Sequence, residues 1–234
     1  MYRGKLVSLI LPAYNESESI KGVVNGFKKT GVVDEIVVVD NNSKDETAQI
    51  AKSLKGVTLI NEKKQGYGFA IRRGLKEAKG DYLVLCDCDN TYKAEDIGKL
   101  LRYANKYDLV FSTRTNKKFI LKGSNMYGLR RIANIFVGRL IQFLFHGSTH
   151  TDPGATFRLV NRKAYEVLKN KFTVGGVNFQ PELTILALNY DFKIKEVPVY
   201  YGARTGLSKI SGSFWGGIKT AVKMLKVIFE YKLN

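Results

Sequence analysis

Between residues 6 and 112, short runs rich in β-branched residues alternate with stretches of helical periodicity, an order that points to a mostly parallel sheet covered by helices. The predicted strands are Leu6–Leu11, Glu35–Asp40, Val57–Asn61, Tyr82–Cys86 and Asp108–Ser112. Helices are predicted near Glu18–Lys29, Asp45–Leu54, Tyr67–Ala78 and Glu95–Tyr107, each beginning beside residues suited to helix starts, as Ser43 to Asp45 are before the second. Past residue 112 the alternation breaks. Residues 124–146 read as a helix carrying Arg130, Arg131 and Arg139. Ala155–Val160 and Lys193–Val199 read as strands, with a helix over Asn178–Leu188 between them, and Phe214 to Tyr231 is strongly amphipathic. At 234 residues the chain has room for one α/β domain with a full core, and no segment is low in complexity.

In open parallel sheets, ligands collect at the carboxyl ends of strands. Here those ends are polar: Pro12, Tyr14, Asn15 and Glu16 follow the first strand, Asp40 to Ser43 close the second, and Asp87-Cys88-Asp89 follows the fourth. Two carboxylates two residues apart at a strand exit can face one side, a hard-oxygen site for Mg2+ or Mn2+ completed by diphosphate oxygens. The alternative reading, in which such aspartates cap the following turn and helix, applies equally to Asp40. Convergence of three polar ends on one sheet edge favours the binding site. The cluster Gly66-Tyr67-Gly68 invites a dinucleotide reading but fails it. It does not follow the first strand, and the expected third glycine is Ile71, so it is read as a tight turn into a helix whose N-terminus faces an anion.

Lysine and arginine number 38 against 21 acidic residues, a net charge of +17 that suits polyanionic partners such as anionic lipid or diphosphate. Nucleic acid is not expected, because neither a known binding module nor basic residues interleaved with stacking aromatics are evident. Cys86 and Cys88 sit at i, i+2 and read as small packing groups, which fits a reducing cytoplasmic compartment better than a disulfide framework. The apolar run Leu6 to Leu11 is too short for a signal sequence, and no stretch reaches the roughly 20 apolar residues of a spanning helix. The expectation is a protein that is soluble or held on the cytoplasmic face of a membrane.

Taken in order, the segments Leu11 to Glu16, Val37 to Ser43, Gly66 to Gly68, Asp87 to Asp89, Asp152-Pro153-Gly154-Ala155-Thr156-Phe157-Arg158, Glu196-Val197-Pro198-Val199 and Arg204 to Lys209 closely resemble inverting glycosyltransferases of family 2. Within that family the chain looks like the branch of polyprenyl-phosphate sugar synthases, which includes the dolichyl-phosphate mannose and glucose synthases. The resemblance implies a GT-A fold over residues 1–212, with 213–234 as a C-terminal amphipathic helix. It implies a nucleotide-sugar donor, UDP- or GDP-linked, held by Pro12, Tyr14, Glu16, Asp40, Asp87, Asp89, Arg204 and Lys209, with Asp87 and Asp89 on the metal. Asp89, Arg114 and Arg131 would carry the reaction, the two arginines by holding acceptor phosphate. The chain departs from the family pattern at Thr91, where many synthases have a further metal ligand, and in lacking C-terminal membrane spans.

A hydroxyl acceptor would need a carboxylate to take its proton, and Asp152 and Glu182 are the candidates. A lipid phosphate is already anionic, so arginines that hold it matter more than a base. Arg130 is an alternative to Arg131, because the sequence does not fix the helix face. In the last segment Ile218, Ala221, Val222, Leu225, Ile228 and Phe229 recur at helical spacing behind Phe214 and Trp215, with Lys219, Lys223 and Lys226 on another face. Such a helix either anchors on anionic lipid or packs its apolar stripe on the domain.

Overall fold

The computed structural model describes residues 1–147, 150–206 and 214–233, with side chains described from residue 219 onward in the last segment. The elements are β1 (Val7–Ala13), α1 (Ile20–Lys29), β2 (Glu35–Asp40), α2 (Thr47–Ser53), β3 (Val57–Asn61), α3 (Tyr67–Glu77), β4 (Tyr82–Leu85), α4 (Ile97–Leu101), β5 (Leu109–Thr113), α5 (Gly128–Leu144), β6 (Arg158–Asn161), α6 (Arg162–Leu168), α7 (Phe179–Asn189), β7 (Ile194–Pro198) and α8 (Phe214–Leu233). The strands form one sheet in the order β3-β2-β1-β4-β6-β5-β7. All pairings are parallel except those of β6, which runs antiparallel to β4 and β5.

Alternation along the strands separates the two faces. Val7, Leu9, Leu11 and Ala13 of β1 join Val38 and Val84 under α1 and α4, where Val24, Phe27, Ile97 and Leu100 meet them. Ile10, Val37, Val39, Leu83 and Leu85 point the other way, against Ile71 and Leu75 of α3 and Phe179 and Leu183 of α7. Each such side chain taken fully from water contributes about 1.5–3 kcal/mol, so the two faces supply most of the cohesion. Cys86 and Cys88 are free, buried and part of the first of these clusters, as packing groups. A third cluster joins Val137 and Ile141 of α5, Ile185 of α7, and Val227 and Ile228 of α8. The C-terminal helix therefore packs an apolar face on the domain.

Boundaries differ from the sequence reading where local tertiary contacts decide them. β1 runs on through Pro12 to Ala13. The carbonyls of Leu6 and Ile10 accept from β4, so Pro12, two residues on, turns its nitrogen toward β4 beyond the last paired position, and no ladder bond is lost. The helix expected over 95–107 is only α4 preceded by a 3-10 turn, Ala94–Asp96. After it, Tyr103 and Ala104 bond back three residues, to the carbonyls of Leu100 and Leu101, and the chain tightens into turns. No described helix is long and apolar enough to cross a membrane.

Candidate active site

The sheet reverses its direction of growth at β1, which pairs β2 on one side and β4 on the other, and the crevice outside the carboxyl ends of β1 and β4 is where such a fold binds ligands. The loops leaving β1, β2 and β4 are each turned by an asparagine in the left-handed region: Asn15 (φ 53), Asn42 (φ 62) and Asn90 (φ 68). Side chains then stitch the loops together. Asn15 accepts from the Lys44 backbone N–H at 2.7 Å, Thr47 accepts from the Glu16 N–H at 2.7 Å, and Asn41 donates to the carbonyls of Glu62 and Lys64 while accepting from the Gly66 N–H.

Asp87 and Asp89 stand at the centre of this crevice, Asp89 buried and Asp87 half-buried. Asp89 Oδ1 accepts from the Thr91 hydroxyl at 2.6 Å, and Oδ2 accepts from Arg204 Nη1 at 2.9 Å. Arg204 also reaches Glu16 through Nη2, so its guanidinium ties the end of β1 to the end of β4. The Thr205 N–H donates to the Asp89 carbonyl at 2.9 Å and fixes the segment that carries Arg204. Asp87 accepts from Tyr67 Oη at 3.2 Å and from Thr156 Oγ1 at 2.8 Å. Burial, and then the neighbouring Asp89 charge, push the Asp87 carboxyl up to about 7.

Among the described residues no group of three His, Cys, Asp or Glu side chains could hold a metal ion by itself. Two carboxylates are present, and Thr91, two residues past Asp89, directs its hydroxyl to Asp89. The donor set suits a hard cation whose remaining ligands are diphosphate oxygens, and the mutual repulsion of Asp87 and Asp89 is what such a cation relieves.

The Gly66–Gly68 turn sets Tyr67. Gly66 has φ 151, and a Cβ on Gly68 would lie 2.6 Å from the Val174 carbonyl oxygen, so only glycine lets the turn close on the loop at Val174–Gly176. Tyr67 Oη donates to Asp87 and accepts from Gln180 Nε2 at 3.1 Å, linking the turn, β4 and α7.

Opposite this wall, the Arg114 backbone N–H, Nε and Nη2 all donate to the Asp152 carboxylate, at 2.8, 2.8 and 2.7 Å, and the guanidinium lies over the Tyr201 ring. Burial works against the Arg114 charge, but Asp152 and Tyr92 outweigh it and hold the group well above its ordinary pKa. Asp152 is placed in turn by Glu196, which accepts from the Asp152 N–H at 3.1 Å and from Thr151. Burial raises the Glu196 carboxyl to about 7 against the pull of those hydrogen bonds.

One cavity of about 660 Å³ gathers Pro12, Tyr14, Glu16, Asp87, Asp89, Arg114, Arg130 and Arg204 among its lining. The remaining candidates among the described residues lie outside that lining. Asp40 is buried at the end of β2, and among the described residues its Oδ1 has no hydrogen-bond partner. Arg131 turns aside and donates from Nε to the Thr115 carbonyl at 2.6 Å, so of the two adjacent arginines it is Arg130 that lines the cavity. Asp152 has both oxygens engaged by Arg114. Glu182 is fully buried and accepts from Thr173, Val174 and Tyr231, away from the cavity. Lys209 lies outside the described residues. Sequence reasoning missed the contacts of Tyr67, Tyr92, Thr156, Gln180 and Tyr201. Tyr67 and Thr156 fell inside motifs that were singled out, but no spacing pointed to the other three.

Comparison with known proteins adds an independent line. The sequence profile described as Glycosyl transferase family 2 matches residues 8–168. A dolichyl-phosphate hexose transferase of Haloferax volcanii is 31% identical over 231 residues, covering 97% of this chain and 96% of that protein. A dolichyl-phosphate beta-glucosyltransferase of Trichomonas vaginalis is 30% identical over 250 residues, covering 97% of this chain and 74% of its own length. Among solved structures, glucosyl-3-phosphoglycerate synthase from Mycobacterium tuberculosis, crystallised with Mn2+, UDP and glucosyl-3-phosphoglycerate, superposes with a TM-score of 0.75 at 21% identity, over 97% of this chain and 80% of that one, which establishes the shared GT-A fold.

Proposed function

This chain belongs to glycosyl transferase family 2, and we propose that it transfers a sugar, with inversion, from a nucleoside-diphosphate donor to the phosphate of a polyprenyl lipid at the cytoplasmic face of a membrane. The observation that carries this reading is that one cavity joins a carboxylate pair at the sheet's switch point to two arginines, Arg114 and Arg130. The first end suits a diphosphate, the second a phosphate. The names of the relatives support the acceptor, and the UDP in the structural relative supports the donor class. Two buried free cysteines, which ask for no oxidising compartment, support the location.

In this account Pro12, Tyr14 and Glu16 hold the nucleoside, and Arg204, together with Lys209, neutralises the diphosphate. Asp87 and Asp89 would hold Mg2+ or Mn2+, which supplies charge stabilisation for the departing nucleoside diphosphate. A lipid phosphate oxygen, placed by Arg114 and Arg130, attacks the anomeric carbon from the face opposite the leaving group. The new C–O bond forms as the bond to the diphosphate breaks, and the electron pair leaves with the nucleoside diphosphate. The nucleophile is already an anion, so no side chain has to take a proton. That requirement matches Asp152 and Glu182, whose oxygens are engaged by protein donors. Asp152 acts here by fixing Arg114.

The test is a set of parallel incubations with a panel of UDP- and GDP-sugars and a divalent metal, offering either polyprenyl phosphate or the corresponding polyprenol and oligosaccharides. Sugar on the phosphate acceptor alone is the expected outcome. Transfer to the hydroxyl acceptors with none to the phosphate contradicts the reading.

A further inference from the structure

Helix α5 carries two faces of opposite character. Val137, Gly138 and Ile141 are buried, and Arg130, Ala133, Asn134 and Val137 line the cavity. On the other side Ile132, Phe136 and Phe143 are 59%, 64% and 76% exposed, and Leu129, 76% exposed, stands where that side meets the cavity rim. At 100° per residue these four fall within roughly 60° of arc, a continuous apolar stripe. The exposed Arg139 flanks the stripe, and exposed Lys117, Lys118 and Lys122 lie on the segment leading into α5. From Arg114 to Gly147 the sequence has seven Lys or Arg and no Asp or Glu.

We propose that the outer stripe of α5 is the surface by which the protein docks on an anionic lipid leaflet, seating its side chains at the headgroup boundary. The docking holds the cavity mouth against the membrane, so that a lipid phosphate reaches Arg130 while its chain stays in the leaflet. An apolar stripe with a basic surround and no acidic residue is what such a surface selects. A second copy of the chain is disfavoured as occupant, because the same basic surround would be brought face to face with itself. The C-terminal helix, for which the sequence left anchoring on lipid and packing on the domain open, uses Val227 and Ile228 to pack on the domain. Among the described side chains its exposed Val222, Phe229 and Leu233 do not have the close i, i+3, i+7 spacing of Leu129, Ile132 and Phe136 on α5.

This proposal rests on the lipid-phosphate acceptor reading, and the experiment separates the two. Flotation is measured with phosphatidylcholine vesicles, with and without phosphatidylglycerol, for the full chain and for a triple variant, Ile132→Ser with Phe136→Ser and Phe143→Ser. Thermal melting checks that the variant is folded. The same proteins are assayed with a short, water-soluble polyprenyl phosphate and with a long-chain one embedded in vesicles. The wild type should float with the anionic vesicles, and the variant should lose roughly tenfold or more of that binding. The variant should keep its rate on the soluble acceptor and lose it on the embedded one. Unchanged flotation of a folded triple variant overturns the docking surface, as does a dimer that only the triple variant fails to form. Normal flotation with no transfer to either polyprenyl phosphate overturns the acceptor reading and leaves the docking surface standing.

Discussion

Asp87 and Asp89 are two residues apart and chemically unlike. Asp89 has Arg204 as a counter-charge, whereas Asp87 relies on the hydroxyls of Tyr67 and Thr156 and is pushed up to about 7. Asp89→Ala should lower transfer by about 100-fold or more while circular dichroism and melting stay close to wild type. A folded variant that remains active and metal-dependent would remove Asp89 from the metal site. The arginines give a second prediction. Arg130→Ala should raise the KM for lipid phosphate roughly tenfold to a hundredfold, the effect of losing a hydrogen bond to a charged group, with the donor KM little changed. Arg131→Ala should act mainly through the Thr115 loop and lower stability. The reverse pattern would assign the phosphate to Arg131. Pro12, Tyr14, Glu16, Asp87 and Asp89 were legible as residues of the crevice because they sit at strand ends in short motifs. The choice between Arg130 and Arg131 was not, since a one-residue step on a helix is decided by what the helix packs against. Gln180, 113 residues from Tyr67, carries no local mark of its role.

The elements of the first half follow from periodicity, and the loops that bear the site follow from their asparagines and glycines. A strand at Ala155–Val160 was also legible, shortened in the structure to β6, but its antiparallel direction was not. Direction comes from the route of the connection through α5, which the local sequence does not encode. Fully buried Arg158 helps fix the loop before β6 by donating to the carbonyls of Pro153 and Ala155, and this links α7 to the cavity wall through Gln180 and Thr184. The Gly66–Gly68 turn is the element most sensitive to a single atom. Gly68→Ala should force the turn from the Val174–Gly176 loop, at a cost of about 1–3 kcal/mol, and displace Tyr67 from Asp87. A Tm drop accompanied by weaker nucleotide-sugar binding is expected. Unchanged binding would mean that Tyr67 does not position Asp87.

For the molecule as a whole, stability and activity meet behind Arg114. His150 is buried against Phe111, with Glu196 at 3.5 Å but no hydrogen bond, and burial, reinforced by the Arg158 charge, pushes it down to about 3. The unfolded chain takes up that proton near its ordinary value of 6.5, so the folded state binds fewer protons between the two values. Relative to His150→Phe, the wild type should therefore lose stability as pH falls from about 6.5 toward 3, by about 2 kcal/mol at pH 5. A pH-independent difference in melting would show that His150 stays unstrained when charged. The architecture was legible nearly complete from the order of strands and helices. The meeting of the carboxylate pair and the two arginines in one cavity was not, because it depends on how α5 and α8 close over the sheet. The central claim concerns the bond made there, and phosphorus NMR of a reaction between nucleotide-sugar and polyprenyl phosphate observes it directly. The lipid's phosphomonoester signal should give way to a phosphodiester in step with release of nucleoside diphosphate. A phosphomonoester that persists while the sugar appears free or on a hydroxyl would contradict the account.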